Sequence, residues 1–302
     1  MKICIPLLFF LLSGQLHLNA QPFVDLINYN NQNFFSHYND SANSPVYIQD
    51  NLLNLFVPVK FKNDNVLIIR VNSEKAIVTR DGPSPLKENL FSVSLPLGFM
   101  FVSPDKRWKY TGIFIPKLNS DLRDDLENDF QFGGIALVTR VFRTNLQLKF
   151  GMYYNREFWG NFFLPLLGLD WKINERWQMY GVMPSNFRME YKLSKNWNTG
   201  VGWRSFQRSF RLSETFNNDF IWVKENQVKA YIEGFVYKNL LLSFDVYRSI
   251  TYELSRNDYS DVNLKKSGLS TFEPFQNNMG FTIGVVYRIL NTLPEKEEDR
   301  NK

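Results

Sequence analysis

Apolar and polar side chains alternate along most of this chain. The segments Phe187–Leu193 (FRMEYKL) and Met279–Ile289 (MGFTIGVVYRI) show the pattern clearly. A period of two is typical of β-strands that have one apolar face and one polar or small face. The runs cover about 9–15 residues, whereas a strand of a soluble sandwich has about 5–6 and a tilted strand crossing a bilayer has about 9–11. The pattern therefore predicts an all-β protein with long strands.

Short polar turns join these runs into pairs, and longer polar segments join one pair to the next. The short turns are Lys62–Asn65, Pro104–Arg107, Arg143–Asn145, Ile173–Arg176, Ser194–Asn196 and Tyr237–Asn239. Bacterial outer-membrane barrels place short turns in the periplasm and longer loops outside. The final run, Met279–Ile289, follows a long loop, and Phe23–Phe35 offers one further strand at the start of the chain.

The predicted fold is an all-β, transmembrane, antiparallel up-and-down β-barrel of about 14 strands, because single-chain bacterial barrels have an even strand number. The alternative is a barrel of about 12 strands, in which the N-terminal segment stays unpaired. The predicted outer loops include Arg156–Asn161 and Glu253–Asn278, and Ile173–Arg176 is a predicted periplasmic turn.

The N-terminus predicts a signal peptide over residues 1–20. Lys2 supplies the positive start, Ile3–Leu12 the apolar segment, and Ala20 a small residue before the cleavage point. The barrel is predicted over residues 21–290 and a charged tail over residues 291–302. The sole cysteine, Cys4, lies within the signal, so the mature chain is expected to have no disulfide and no cysteine metal site.

Composition and charge narrow the class of partner. The 302 residues include 16% aromatic and 22% charged side chains, which argues against a disordered chain. The net charge is only +5, and basic residues lie at turns or alternate with acidic ones, so no nucleic-acid partner is expected. The expected partners are outer-membrane lipid, the barrel-assembly machinery and a small solute.

Four tryptophans stand within a few residues of the short turns: Trp108, Trp171, Trp177 and Trp197. Amphipathic rings prefer the headgroup level of a bilayer. These tryptophans are therefore predicted to form the periplasmic aromatic belt. The alternative is that they are core residues of a soluble β-sandwich.

Charged side chains on the polar phase of the strands are predicted to face the lumen, because a charge facing lipid near the midplane costs about 2–4 kcal/mol. They are Lys149, Asp170, Lys172, Arg188, Glu190, Lys192, Arg204, Lys229, Glu233, Asp245 and Arg288. Two interpretations stay open. The charges line a wet channel, or they pair and fill the interior. The alternating signs favour pairing, and the large strand number favours space, so we expect a partly occluded passage.

The sequence offers little for catalysis. The mature chain keeps one histidine, His37, in a predicted N-terminal loop, and it has no GxSxG elbow, HExxH helix, phosphate-binding loop or cysteine pair. The acidic segment Asp121–Asp129 lacks the spacing of a known calcium loop. No catalytic residue, metal or cofactor is predicted. A hydrolase that uses His37 is the alternative.

Several short motifs together resemble a family of uncharacterised Gram-negative outer-membrane β-barrels that is defined by a domain of unknown function. They are Pro58-x-x-Phe61, Gly151-x-Tyr153-Tyr154, Phe163–Leu169 with Pro165 and Gly168, Trp177 leading to Pro184, and Tyr191–Trp203. The resemblance covers most of the mature chain. It implies a place and a fold, and it carries over no activity.

The sequence thus predicts an outer-membrane barrel that passes or binds a small solute without catalysis. The alternative from another class is a non-conducting barrel that serves structure or surface interaction through its outer loops, chiefly Glu253–Asn278.

Overall fold

A computed structural model describes residues 23–37, 45–80, 86–213, 219–257 and 276–290. The predicted signal peptide, the predicted charged tail and most of the predicted loop Glu253–Asn278 lie outside these residues. The strands in the described ranges are β1 (Phe23–His37), β2 (Pro45–Lys60), β3 (Val66–Arg80), β4 (Leu86–Ser94), β5 (Leu97–Val102), β6 (Trp108–Ser120), β7 (Phe130–Arg143), β8 (Leu146–Glu157), β9 (Gly160–Lys172), β10 (Trp177–Met183), β11 (Asn186–Lys192), β12 (Trp197–Arg211), β13 (Phe220–Tyr237), β14 (Leu240–Asn257) and β15 (Gln276–Leu290). A 3-10 turn, Glu127–Asp129, precedes β7.

Neighbouring strands pair antiparallel in chain order, and the sheet closes on itself. β1 pairs with β2 on one edge and with β15 on the other, over almost its whole length. β4 and β5 are two segments of one wall strand, because both pair with β3 and with β6. The described strands therefore form a closed antiparallel barrel with fourteen wall strands. The predicted fold is confirmed, and the alternative of twelve strands is wrong because the N-terminal segment is paired.

A proline divides the predicted run Phe91–Phe101. Pro96 has no backbone N–H for the ladder, and its carbonyl instead accepts a hydrogen bond from the backbone N–H of Arg70 at 2.9 Å. The backbone N–H of Leu95 donates to the carbonyl of Pro116 at 3.0 Å. The wall stays hydrogen-bonded through this irregularity, although the sequence pattern predicts one unbroken strand.

Three other sequence expectations about loops are corrected. The predicted outer loop Arg156–Asn161 is a turn of two residues, since β8 ends at Glu157 and β9 begins at Gly160. His37 is the last residue of β1 rather than part of a loop. Both ends of the predicted loop Glu253–Asn278 are strand. Ile173–Arg176, in contrast, lies between β9 and β10 as expected.

The outer surface of the barrel is apolar, and the interior is largely polar. Phe114, Phe150 and Ile283 point outward with about half of their surface exposed. Glu190 and Arg288, on the opposite phase, are almost fully buried. A soluble sandwich has the reverse arrangement, because its apolar faces are packed inside. No helix in the described ranges is long and apolar enough to span a membrane.

The wall is uneven in height. β10 and β11 each have 7 residues, whereas β12 has 15 and β13 has 18. The last pair between β11 and β12 is Asn186 with Arg204, so the rest of β12 runs past β11. The free edge of β12 reaches β6, where Arg211 pairs in parallel with Ser120. Because β7 to β11 lie between these two strands along the ring, β12 must bend across the interior at the end with the longer loops.

The outward apolar surface predicts how the barrel responds to a charge. Ile283→Arg, in the middle of β15, should destabilise the folded barrel in a bilayer by about 2–4 kcal/mol. Ile173→Arg makes the same change in a short turn and should cost about 0–1 kcal/mol. Urea titrations of both variants in lipid vesicles measure the difference. Equal costs would contradict the position of the apolar band.

Candidate functional site

A polar cavity of about 60 Å³ lies inside the barrel, between β1 and the run of strands from β11 to β15. A single water needs about 10–15 Å³, so the cavity holds several waters or one small solute. Its charged lining residues are Asp25, Arg188, Arg204, Lys229, Glu233, Asp245 and Arg288. Amide and hydroxyl side chains supply most of the remaining lining, and they include Asn28, Asn30, Gln32, Gln227, Ser243 and Thr282.

Glu233 is the centre of a chain of ion pairs along one side of this cavity. Its Oε1 accepts a hydrogen bond from Arg188 Nη1 at 2.7 Å, and its Oε2 accepts one from Arg288 Nη1 at 2.8 Å. Arg288 Nε also lies 2.5 Å from Asp25 Oδ1, which links β15 to β1. Buried charges that are paired in this way stabilise each other, and removing one of them leaves its partners buried without a counter-charge.

Glycines in β12 let these side chains pass across the strand. Gly202 stands in register between Arg188 of β11 and Lys229 of β13, and Gly200 stands between Glu190 and Tyr231. A Cβ atom at Gly200 would lie 2.7 Å from the hydroxyl of Tyr231. That hydroxyl donates to Glu190 Oε2 at 3.2 Å. Because these glycines have no side chain, residues of β11 and β13 can contact each other across β12.

The other cations of the cavity differ in their partners. Lys229 Nζ lies 3.1 Å from Asp245 Oδ2. Arg204 donates from Nη1 to Gln32 Oε1 at 3.1 Å, and its guanidinium lies 4.8 Å from the centre of the Phe206 ring. In the described part of the chain, no ion pair joins Arg204 to a carboxylate.

Above the cavity, toward the longer loops, the interior is filled. Arg208 of β12 crosses to β2 and β3, where it binds Glu74 and lies 3.6 Å from Asp50. An apolar cluster packs around this crossing, and its buried members are Phe34, Val46, Ile48, Ala76, Val78, Leu90, Phe210, Leu212, Ile221, Val223, Tyr247 and Tyr252. This end of the barrel is closed on the β1–β4 side.

On the other side, the bent edge of β12 is held by polar contacts that we call the seam, formed by Asn119, Gln131, Glu157, Ser209 and Arg211. Ser209 Oγ donates to Glu157 Oε2 at 2.6 Å and accepts from Gln131 Nε2 at 2.9 Å. The carbonyl of Ser209 accepts from Asn119 Nδ2 at 3.0 Å. Arg211 pairs with Asp129 at 3.0 Å. The seam therefore holds the edge of β12 against β6, β7 and β8 by side-chain hydrogen bonds rather than by a continuous sheet.

Beneath the seam, strands β6 to β9 present an apolar panel to the interior. Ile113, Ile135, Tyr153 and Leu164 stand side by side in register on successive strands. They share the phase of polar interior residues and alternate with the exposed outer residues, yet they are only half-buried. Because the wall is closed around Ile113 and Ile135, these side chains border space inside the barrel.

The predicted lumen-facing charges fall into three groups. Lys149 pairs with buried Asp170 at 2.7 Å, below the apolar panel. Lys172 and Lys192 are exposed at the end with the short turns, and Lys172 lies 3.2 Å from Glu175. The remaining seven line the cavity or bond to its lining: Arg188, Glu190, Arg204, Lys229, Glu233, Asp245 and Arg288. That any of them contacts a solute stays a prediction.

The four predicted belt tryptophans all lie at strand ends beside short turns and on the outward phase. Trp108 begins β6, Trp177 begins β10, Trp197 begins β12, and Trp171 is the penultimate residue of β9. Trp171, Trp177 and Trp197 are each more than a third exposed. Contact with headgroups stays a prediction.

Sequence reasoning missed the seam. Asn119, Gln131, Ser209 and Arg211 carry no motif, and each looks like an ordinary strand or loop residue. The signal that could have found them is strand length, because the short runs Trp177–Met183 and Phe187–Leu193 precede much longer ones. His37 pairs in register with Pro45 of β2 and with Gln276 of β15. Among the described residues, no group of three side chains is arranged to bind a metal ion.

The ion-pair chain predicts a large effect of a single substitution. Arg288→Met should lower the free energy of unfolding by about 3–5 kcal/mol, because Glu233 and Asp25 are left without their shared partner. Exposed Arg143→Met should change it by at most about 0.5 kcal/mol. Urea unfolding in detergent micelles measures both. If adding Glu233→Gln to Arg288→Met restores no stability, the cost does not come from a buried carboxylate that lacks its counter-charge.

Three solved structures are similar in outline to this chain. An outer membrane channel from Pseudomonas putida F1 is 9% identical, with 90% of this chain and 97% of that chain covered and a TM-score of 0.48. The translocator domain of the autotransporter NalP from Neisseria meningitidis is 10% identical, with 93% of each chain covered and a TM-score of 0.39. The NanC porin is 7% identical, with 87% and 100% covered and a TM-score of 0.33.

Among curated proteins, none matches the sequence. The domain of unknown function DUF6268 matches residues 83–288, which is more than half of the chain. The expected membership in a family defined by a domain of unknown function is thereby confirmed. The chain belongs to the DUF6268 family.

Proposed function

We propose that this protein is an outer-membrane β-barrel that binds and passes a small solute through a partly occluded lumen, without catalysis. The observation that carries the proposal is the unequal filling of the interior. One side is packed by paired charges and an apolar cluster, whereas the half-buried panel on β6 to β9 borders free space.

The outer surface supports the membrane part of the proposal. Large apolar side chains such as Phe163 and Leu167 point outward with 60% of their surface exposed. In water such a band would be a severe aggregation liability, whereas in a bilayer it is the favourable surface. The tryptophans beside the short turns flank this band at one end, as the interface of a membrane favours.

The seam supports the idea of a closed but openable mouth. It joins β12 to β6 by a single backbone bridge, Arg211 with Ser120, whereas side chains join β12 to β8 and to the 3-10 turn. The hydrogen bond of this bridge runs from the backbone N–H of Asp121 to the carbonyl of Arg211 at 3.2 Å. A β-ladder of many bonds, as between β12 and β13, would be far harder to open.

The second candidate is a non-conducting barrel that serves structure or surface interaction. Its supporting observation is that several interior pairs cross between distant strands, such as Arg208 to Glu74 and Arg204 to Gln32. Such pairs stabilise a filled barrel without any need for a solute.

A disulfide across the seam separates the two candidates. Ser120→Cys with Arg211→Cys places two cysteines at bridged positions, where paired Cα atoms lie within the range of about 4.4–6.8 Å that a disulfide spans. Cys4 is the natural chain's sole cysteine, and it lies in the predicted signal, so no other thiol competes. The reduced double variant should pass current in planar bilayers and small sugars in liposome swelling, and oxidation should abolish both.

The reduced and oxidised forms of one sample carry the same substitutions, so each controls the other. Equal passage in both forms would show that the β12 edge is not the gate. No passage by the wild-type protein or by either form would favour the non-conducting barrel. Recovery in the outer-membrane fraction and heat-modifiable migration on a gel test the location, and hydrolysis of lipid or peptide lost in His37→Ala would revive the enzyme alternative.

A further inference from the structure

We infer that the polar cavity between β1 and β11–β15 is a binding site for a small organic carboxylate, with Arg204 as its anchor. The inference rests on the proposed function, because it names the chemical class of the solute that the lumen holds. It depends on three features of the cavity: its charge count, the free donors of Arg204, and the polar, uncharged remainder of its lining.

The cavity lining carries one more positive than negative charge. Arg188, Arg204, Lys229 and Arg288 stand against Asp25, Glu233 and Asp245. The three carboxylates are engaged, because Glu233 and Asp25 bind the two arginines of the ion-pair chain and Asp245 binds Lys229. Arg204 is the cation for which this lining supplies no carboxylate.

The carboxylates in the filled layer above the cavity have other partners. Asp50 and Glu74 share Arg208, and Glu225 accepts hydrogen bonds from Ser249 and from Gln227 Nε2, the latter at 2.7 Å. In the described part of the chain none of them forms an ion pair with Arg204. These carboxylates act on Arg204 only through space, so its remaining N–H groups are open to a bound anion.

The guanidinium of Arg204 is held in place, and most of its N–H donors remain available. Gln32 accepts one of its five N–H groups, and the ring of Phe206 supports its face. Gln32 is itself fixed, since its Nε2 donates to the hydroxyl of Tyr247 at 2.9 Å. A guanidinium positioned in this way presents a planar fork that fits a carboxylate with two parallel hydrogen bonds.

The uncharged lining completes the site. Asn30 donates to Asn28 at 2.7 Å, and Ser243 and Thr282 add hydroxyl groups to the same cavity. Gly284 keeps this region open, because a Cβ there would lie 2.3 Å from Ser243 Oγ and 2.4 Å from Asn30 Oδ1. A volume of about 60 Å³ admits only a compact molecule. These features favour a short carboxylate, with or without hydroxyl groups, over a bulky or cationic solute.

Fluorine NMR of trifluoroacetate tests the inference directly on the folded, full-length barrel in detergent micelles. Binding should broaden the probe signal in a saturable way, and the neutral analogue trifluoroacetamide should show at least about tenfold weaker broadening, since a charge-assisted pair is worth about 1.5–3 kcal/mol. Unlabelled acetate should displace the probe.

Variants connect the signal to the site. Arg204→Met keeps the apolar stem and should weaken binding about tenfold or more, whereas Arg204→Lys keeps the charge and should retain part of it. Arg248→Met is the matched control, because Arg248 is exposed on the outer face of β14, and it should leave binding unchanged. Asp245→Asn releases Lys229 and should strengthen binding severalfold, so the site is testable even if Arg204→Met fails to fold.

The outcomes are separable from those of the passage experiment. Saturable binding that Arg204→Met weakens and Asp245→Asn strengthens supports the site, even if the barrel never conducts. Absence of saturable broadening, or equal binding by wild type and Arg204→Met, overturns the site and leaves the proposed passage to its own test. Equal affinity for trifluoroacetamide would also overturn it, because the cavity would then not select charge.

Discussion

The structure depends on one constraint, namely that the free edge of β12 must find hydrogen-bond partners. Backbone groups in a barrel wall cannot stay unpaired in hydrocarbon without a large cost. β10 and β11 are too short to cover the far half of β12, so that half cannot remain in a lipid-facing wall. By bending inward it meets β6, and its backbone and side-chain groups are satisfied by Asn119, Glu157 and Ser120.

That bend divides the interior into compartments with different chemistry. Residues of β12 that would otherwise face lipid become buried on both sides, and Ser209 and Phe210 have no measurable exposure. On one side, Phe210 joins the apolar cluster, and on the other, Ser209 joins the seam. The polar cavity lies below the cluster, and the apolar panel lies below the seam. The separation of these two compartments therefore follows from the unequal lengths of adjacent strands.

Much of the wall could be predicted, because its determinants are local. The alternation in Met279–Ile289 predicts which side chains face outward, and Ile283 and Thr282 lie on the expected sides. The turn Ile173–Arg176 is likewise a local matter of polar residues between two apolar runs. The errors arose where a single backbone group decides the outcome, as at Pro96, where the missing N–H splits a strand that the side-chain pattern treats as continuous.

The sequence by itself determined that this chain is an all-β barrel, which phase of each strand is apolar, and that charges lie on the other phase. These properties depend on a period of two within each strand. Only the tertiary structure decided that Glu233 lies between Arg188 and Arg288, that Arg204 faces an amide instead of a carboxylate, and that β12 reaches β6. Those contacts join residues far apart in the chain, and they depend on the register and relative length of strands, which no local pattern encodes.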